Sequence, residues 1–156
     1  MSKSQRDDAV WITGVGLATP LGSTFDALAE NLLAGRSGVR PVTHFDPVDQ
    51  SSRVAAALGP IPCPTGYEPA EFDRLGAWEQ LMLFTSVEAL RDAGWWDQRG
   101  RVRIGVVIGV GAEWLTTWEA SMRAGGRRVF EPASDQQGLT QSTRQALGVS
   151  GPTATV

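Results

Sequence analysis

Apolar residues along this chain fall into short unbroken runs that alternate with stretches of helical periodicity. The first run, Val10–Thr13, closes at Gly14 and Gly16, which predicts a buried parallel strand that opens into a tight loop. Apolar residues then recur at helical spacing in a segment that Ser23 is expected to cap and Gly35 to end. The chain therefore begins with the order strand, loop, helix.

Five later segments continue this alternation. Glu71–Ala93 predicts the longest helix, which is apolar around much of its circumference and should be buried on more than one side. Val102–Val110 is nearly continuous in valine and isoleucine, which predicts a central parallel strand buried on both faces. Ala112–Met122 and Ser134–Leu147 predict helices, and Arg53–Leu58 a short strand. This order indicates an α/β fold with a mainly parallel sheet flanked by helices.

The composition limits the classes of function. With 42% hydrophobic and 20% charged residues, the 156-residue chain fits one domain over residues 1–156, with a core of its own. The formal net charge of −3 argues against nucleic acid or a membrane surface as the main partner. Because no apolar stretch approaches the ~20 residues of a transmembrane helix, and residues 1–8 lack the apolar part of a signal peptide, a cytoplasmic location is predicted.

Cysteine and histidine are too scarce for a disulfide framework or a zinc site. Cys63 lies between two prolines without a neighbouring base to activate its thiol, which favours an incidental loop cysteine. His44 is the single histidine, and a loop position or a buried hydrogen bond suits it better than metal binding. The residues present therefore predict no metal ion, no cofactor and no catalytic group.

Two glycine pairs invite comparison with dinucleotide-binding loops. Gly14–Gly16 follows a predicted strand, but Thr19 stands where the third glycine of the pattern belongs. Gly109–Gly111 fails in the same way, because Trp114 occupies its third position. A Walker A lysine pattern is absent from the sequence. Tight turns in which a Cβ atom would clash are the favoured explanation of both pairs.

Eight short motifs follow one another along the chain. They are Ile12–Gly16, Thr19–Gly22, Leu33–Gly38, Phe45–Asp46, Glu88–Gly94, Arg103–Gly109, Gly125–Gly126 and Leu147–Pro152. Over essentially its whole length, the chain resembles the N-terminal half of an elongating β-ketoacyl-(acyl-carrier-protein) synthase of the thiolase superfamily. The resemblance implies a thiolase-like layered fold, of which this chain is an incomplete N-terminal half.

In that family, two similar α/β halves stack into five layers, and a cysteine thiolate takes an acyl group from a carrier protein. Two histidines and a lysine in the second half assist decarboxylation of a malonyl unit and the condensation. The resemblance implies that the strand begun at Gly151–Pro152 carries the cysteine a few residues past Val156. We therefore expect a truncated, inactive fragment whose parent enzyme is a homodimer that binds acyl carrier protein with a phosphopantetheine-linked acyl chain.

The resemblance also suggests substrate-binding residues. Ala112 corresponds to the floor of the family's acyl pocket, and Phe130 lies near a segment with pocket and dimer contacts. The family commonly has a glycine pair just after the position of Ala112, whereas this chain has Glu113 and Trp114. A bulky Trp114 is expected to shorten or close the pocket. Core packing of Trp114 together with Trp118, four residues on, is the alternative.

Three hypotheses follow. The first is a condensing enzyme, and the second is a catalytically silent partner subunit that resembles a chain-length factor. The residue at the cysteine position, a few residues past Val156, separates them, since a cysteine supports the enzyme and a glutamine or another non-nucleophile supports the partner. A free-standing nucleotide-binding domain is the third.

Three arginines are candidate binding residues for a phosphopantetheine phosphate or for an acidic carrier protein. They are Arg123, Arg127 and Arg128. The alternative is that they form a solvated turn.

Overall fold

The computed structural model describes residues 9–43, 45–46, 48–49, 51–109, 111, 119, 121–126 and 132–156, with side chains in the last stretch from residue 138 onward. The helices are α1 (Phe25–Leu33), α2 (Pro69–Phe72), α3 (Ala77–Asp92) and α4 (Pro132–Leu147). The strands are β1 (Arg40–Pro41), β2 (Val54–Ala55), β3 (Val106–Ile108) and β4 (Thr153–Thr155). A 3₁₀ helix, Trp96–Gln98, follows α3.

A parallel strand pair organises the C-terminal part of the chain. Strand β3 pairs with β4 in the register Val106 to Thr153, Val107 to Ala154 and Ile108 to Thr155. Helix α4 precedes β4 and packs against both strands and against α3. Parallel strands need a crossover connection, so this unit is the β-α-β arrangement that the alternating pattern predicted.

The core lies where α3 and α4 meet the parallel pair. Its buried apolar side chains come from α2, α3, β3 and the end of α4. They are Phe72, Leu83, Val87, Val106, Ile108, Leu147 and Val149. Val106 and Ile108 are both buried while Val107 between them is 68% exposed, so β3 is covered on one face. The prediction that Val102–Val110 is buried on both faces is wrong for this structure, since no described layer packs on the second face.

The predicted helix Glu71–Ala93 is two helices. The chain leaves α2 at Asp73, and Gly76 then adopts an extended conformation before α3 begins at Ala77. The Glu79 carboxylate accepts a hydrogen bond from the Gly76 N–H at 3.0 Å, which satisfies one of the amide groups left open at the start of α3. A glycine that caps the second helix therefore separates two segments that share one apolar periodicity.

The N-terminal elements differ in detail from the sequence predictions. Thr24, and not Ser23, caps α1, because its side chain accepts a hydrogen bond from the Ala27 N–H at 3.2 Å. The predicted strand Arg53–Leu58 is reduced to β2, which pairs antiparallel with β1. Residues 10–13 form no strand, and Val10, Trp11 and Ile12 are 80 to 95% exposed. Neither described strand pair extends to this apolar run, so it has no sheet to join.

Replacing Gly138 with alanine should stabilise the fold. Gly138 lies in the interior of α4, is exposed, and has no heavy atom within 4 Å of the position that a Cβ would take. Alanine loses less backbone entropy in a helix than glycine, so we expect a gain of about 0.5–1 kcal/mol in the free energy of unfolding. Urea-induced unfolding measures this, and an unchanged or lower midpoint would contradict the expectation.

Candidate functional site

The carboxyl ends of β3 and β4 form one edge of the parallel pair. Gly109 leaves β3 there, and Val156 follows β4. The N–H of Val156 donates to the carbonyl of Ile108 at 3.0 Å, so the pairing continues to the end of the described chain. Ligands of open α/β sheets bind outside the carboxyl ends of the strands. This edge is therefore the candidate functional site.

A glycine turn sets the position of β4 at this edge. The N–H of Gly151 donates to the Ile104 carbonyl at 2.9 Å, and the N–H of Val106 donates to the Pro152 carbonyl at 2.9 Å. A Cβ on Gly151 would overlap the Ile104 carbonyl, so a side chain does not fit at this turn. Gly151 and Pro152 thus bring β4 into register with β3 and set the direction in which β4 runs toward this edge.

The substrate-binding residues suggested by the sequence are Ala112, Trp114 and Phe130, and all three lie outside the described residues. The same is true of His44, Glu113, Trp118, Arg127 and Arg128. Within the predicted helix Ala112–Met122, residues 119, 121 and 122 are helical. Arg123 is exposed. The pocket assignment and the phosphate assignment therefore stay predictions.

The first glycine pair faces the backbone of helix α3 on the side where Cβ atoms would lie. A Cβ on Gly16 would overlap the Thr85 carbonyl and lie 2.7 Å from the Ala89 nitrogen, and a Cβ on Gly14 would lie 2.5 Å from the Ala93 nitrogen. Both glycines thus let residues 13–16 rest directly on the α3 backbone. A Cβ at either glycine would clash, as predicted. The clash, however, would be with the backbone of α3 and not within a tight turn. At Gly109 and Gly111, by contrast, no described atom would clash with a Cβ.

A cleft of about 520 Å³ lies between the loop after Gly16, the start of α1 and the last turns of α3. Three of its charged side chains, Glu88, Arg91 and Asp92, have partners within the protein. The Asp92 carboxylate accepts from the Val15 N–H at 2.8 Å, and Arg91 donates to Glu88 at 2.8 Å. Across the described residues, no three side chains of the metal-binding types come together. The side chains that line the cleft therefore hold the loop against α3.

The surroundings of Cys63 are those of a thiol without a catalytic role. Its side chain is half-buried beside the core, with Sγ 3.7 Å from the Pro64 carbonyl oxygen and 3.8 Å from the Tyr67 carbonyl oxygen. No described cationic side chain forms a contact with the thiol. Two backbone carbonyls do not activate a nucleophile, which agrees with the sequence prediction.

Sequence reasoning missed a cluster around Trp96. The guanidinium carbons of Arg99 and Arg91 lie 3.6 Å and 5.2 Å from the centroid of the Trp96 ring. Arg99 also donates from Nε to the Leu147 carbonyl at 2.9 Å, and Tyr67 packs tilted against Trp96 with centroids 6.2 Å apart. The cluster joins the end of α3, the 3₁₀ helix and the end of α4. Arg91, Trp96 and Arg99 are close in sequence, but Tyr67 and Leu147 come from distant parts of the chain, and no local pattern signals their contacts.

Tyr67 titrates above its ordinary value in this cluster. Burial raises the pKa of the Tyr67 hydroxyl above 10.0, and the positive charges of Arg99 and Arg91 oppose the rise without cancelling it. The hydroxyl donates to the Ala146 carbonyl at 2.8 Å. Since the folded pKa is raised, the stabilisation by neutral Tyr67 is complete below the unfolded pKa near 10 and is lost as the pH rises through the folded pKa.

We therefore expect Tyr67→Phe to lower the free energy of unfolding by about 1 kcal/mol at pH 7, because the donor to Ala146 is lost. The difference from wild type should shrink as the pH rises above 10, since only the wild type has a phenol to ionise. Urea unfolding of both proteins between pH 7 and pH 11 tests the trend. A difference that grows with pH would contradict it.

Comparison with known proteins gives one consistent family. A family model described as the β-ketoacyl synthase N-terminal domain matches residues 7–156. The chain is 28% identical over 151 residues to 3-oxoacyl-(acyl-carrier-protein) synthase 2 of Vibrio cholerae, which covers 92% of this chain and 36% of that protein. It is 31% identical over 160 residues to the synthase 2 of Staphylococcus aureus strain COL, covering 97% and 38%. The chain thus spans little more than a third of these relatives.

Solved structures agree on the fold. The ishigamide ketosynthase/chain length factor superposes with a TM-score of 0.64 at 23% identity, covering 92% of this chain and 39% of that one. At this level of identity the likeness concerns the fold alone, so the described α/β arrangement is that of the matched part of this ketosynthase structure. Among the described helices, none is long and apolar enough to cross a bilayer.

Proposed function

Because the chain belongs to the β-ketoacyl synthase family and matches its N-terminal domain, we propose that it is part of a 3-oxoacyl-(acyl-carrier-protein) synthase. The family is one of acyltransferases. The proposed reaction extends an acyl chain by two carbons in fatty acid or polyketide synthesis. Residues 1–156 are proposed to be the N-terminal domain of this enzyme.

The proposed chemistry has two steps. A cysteine thiolate attacks the thioester carbonyl of the acyl chain on its carrier, so that a new thioester forms on the enzyme and the carrier thiol leaves. A malonyl thioester then loses CO₂, and the resulting carbanion attacks the acyl-enzyme carbonyl. The new carbon–carbon bond forms as the cysteine thiolate leaves, which restores the enzyme. The cysteine, two histidines and a lysine for these steps are expected beyond Val156.

The observation that carries this proposal is the carboxyl edge of the β3–β4 pair. The turn at Gly151–Pro152 sets β4 in register with β3, and the hydrogen bond from Val156 to Ile108 maintains the pairing to the end of the described chain. A residue that follows β4 is therefore delivered to the edge at which open α/β sheets bind their ligands. A nucleophile in that position meets a substrate without any further rearrangement of the chain.

The experiment is to read the coding sequence past Val156, express the full-length protein and assay it. We expect a cysteine shortly after Val156, an acyl-enzyme detected by mass spectrometry, and a 3-oxoacyl product after malonyl-carrier is added. Replacing that cysteine with alanine provides the control and should abolish both signals. A full-length protein that has the cysteine yet forms neither species would overturn the proposal.

We propose acyl carrier protein with a phosphopantetheine-linked acyl chain as the partner, a homodimer as the assembly and the cytoplasm as the location. The net charge of −3 supports neither nucleic acid nor a membrane surface as a partner. No cofactor enters the proposed reaction, because thiolate transfer and decarboxylation balance without an oxidant or a reductant.

The proposed acyl pocket contains Ala112, Trp114 and Phe130. If Trp114 limits the depth of the pocket, Trp114→Ala should shift the preference of the full-length enzyme toward acyl chains longer by about two to four carbons, since removing an indole opens space for several methylenes. Competition between acyl-carriers of different length measures the shift, and Trp118→Ala is the matched control. An unchanged preference in Trp114→Ala would favour core packing of this side chain.

A second candidate function is a silent partner subunit. The structural likeness to the ishigamide ketosynthase/chain length factor and the Glu113–Trp114 pair favour it. In this alternative the residue at the cysteine position is a non-nucleophile such as glutamine, and the full-length protein forms no acyl-enzyme. It would then raise or redirect the activity of a condensing partner in co-expression, which separates it from an inactive remnant.

A further inference from the structure

Two threonine hydroxyls link α4 to the end of β4. The Oγ1 atoms of Thr140 and Thr155 lie 2.7 Å apart, and either hydroxyl is able to donate. Thr140 is 1% exposed and Thr155 is half-buried, so the contact is partly buried beside the apolar core. A hydrogen bond in such surroundings is costly to leave unmade, because a hydroxyl that loses its partner there is not rescued by water.

Strand β4 depends on this kind of support. It has three residues, and among the described residues β3 is its one neighbour in the sheet. Thr153 and Ala154 are exposed, whereas Thr155 is half-buried and in contact with α4. Val156, the next residue, is 76% exposed. The hydroxyl contact therefore lies at the last position of the strand and links it to α4, in addition to the pairing with β3.

We infer that Thr140 is a positioning residue for acyl transfer, because it fixes Thr155 and with it the direction in which the chain leaves β4. The inference rests on the proposed function, in which the nucleophilic cysteine follows Val156. Thr140 touches neither the acyl group nor the reacting atoms, and it acts through Thr155. A displacement of about 1 Å at a reacting group can lower a rate by as much as ~10²-fold.

The test uses the full-length protein and three variants on the same helix. Thr140→Val keeps the shape and removes the hydroxyl, Thr140→Ser restores the hydroxyl, and Thr143→Val is the matched control. Thr143 is also buried, but its Oγ1 has no hydrogen-bond partner in the described part of the chain. Three quantities are measured: the single-turnover acylation rate, the KM for the acyl-carrier and the hydrogen-exchange rate of the Val156 amide.

We expect Thr140→Val to acylate about tenfold more slowly at an unchanged KM and to exchange the Val156 amide about tenfold faster, because the hydroxyl contact with Thr155 is lost. Thr140→Ser should return both rates toward wild type, and Thr143→Val should leave them unchanged. Thr155→Val removes the same contact from a half-buried position. It takes the place of Thr140→Val if that variant does not fold.

Wild-type rates in Thr140→Val or Thr155→Val would overturn the inference, and so would an equal loss in Thr143→Val, which would indicate a general effect on α4. A wild-type protein that forms no acyl-enzyme overturns the proposed function and the catalytic part of the inference. Unchanged Val156 exchange in an otherwise active Thr140→Val enzyme overturns the inference alone.

Discussion

Replacing Gly16 with alanine is expected to lower the free energy of unfolding by about 3 kcal/mol, since a Cβ placed there forces well-packed backbone to move. The Cβ would overlap the Thr85 carbonyl and lie 2.7 Å from the Ala89 nitrogen. Both atoms belong to α3, whose backbone is held by its own hydrogen bonds and has no flexible side-chain end to shift. Residues 13–16 must therefore lift away from the helix.

Urea-induced unfolding followed by tryptophan fluorescence measures this effect. Gly59→Ala is the matched control, because a Cβ at Gly59 would have no heavy atom within 4 Å. We expect the control to stay within about 0.5 kcal/mol of wild type. A Gly16→Ala protein as stable as Gly59→Ala would show that the loop does not rest on α3, and nucleotide binding at the glycine pair would need a new test.

Residues 1–156 expressed as an isolated polypeptide are expected to self-associate. Val10, Trp11 and Ile12 form a consecutive apolar run with 80 to 95% exposure, and Val107 on the uncovered face of β3 is 68% exposed. Apolar surface of this kind, next to unpaired strand edges, promotes association between chains. Size-exclusion chromatography with light scattering should show oligomers whose fraction grows with concentration.

Charge substitution identifies the surface responsible. Ile12→Lys should shift the isolated polypeptide toward monomer, whereas Leu33→Lys, which adds the same charge at an exposed position on α1, should not. In the full-length protein Ile12→Lys should instead lower the free energy of unfolding, because the apolar pattern predicts a buried strand at Val10–Thr13 and a buried lysine is costly. A monomeric polypeptide with a cooperative thermal transition would contradict the expectation of self-association.

Prediction from sequence succeeded for features that are determined by residues close together in the sequence. Helical periodicity located α1, α3 and α4 to within a few residues, apart from the break before α3. The helix-ending glycines Gly35, Gly94 and Gly148 have φ values of +67°, +73° and +67°, as a residue just past a helix end requires. The motif order also identified the family, since it needs residue types and their sequence but no coordinates.

The same reasoning was wrong for surfaces that depend on a neighbouring layer. An apolar run such as Val10–Thr13 predicts burial, yet burial needs a partner that the run itself does not contain. Only one face of β3 is covered here, although its composition suits a strand covered on both. Periodicity reports which residues favour an apolar environment, and it does not report whether that environment is present in the 156 residues.

The sequence by itself therefore determined the order of the elements, the family and the expected acyl chemistry, because these follow from local patterns and motif order. Tertiary structure alone decided that Gly14 and Gly16 rest on α3, that Tyr67 packs against Trp96 and that Thr140 meets Thr155. The physical reason is that each of these contacts joins residues from separate elements. Their distances depend on how helices and strands pack, which no local pattern encodes.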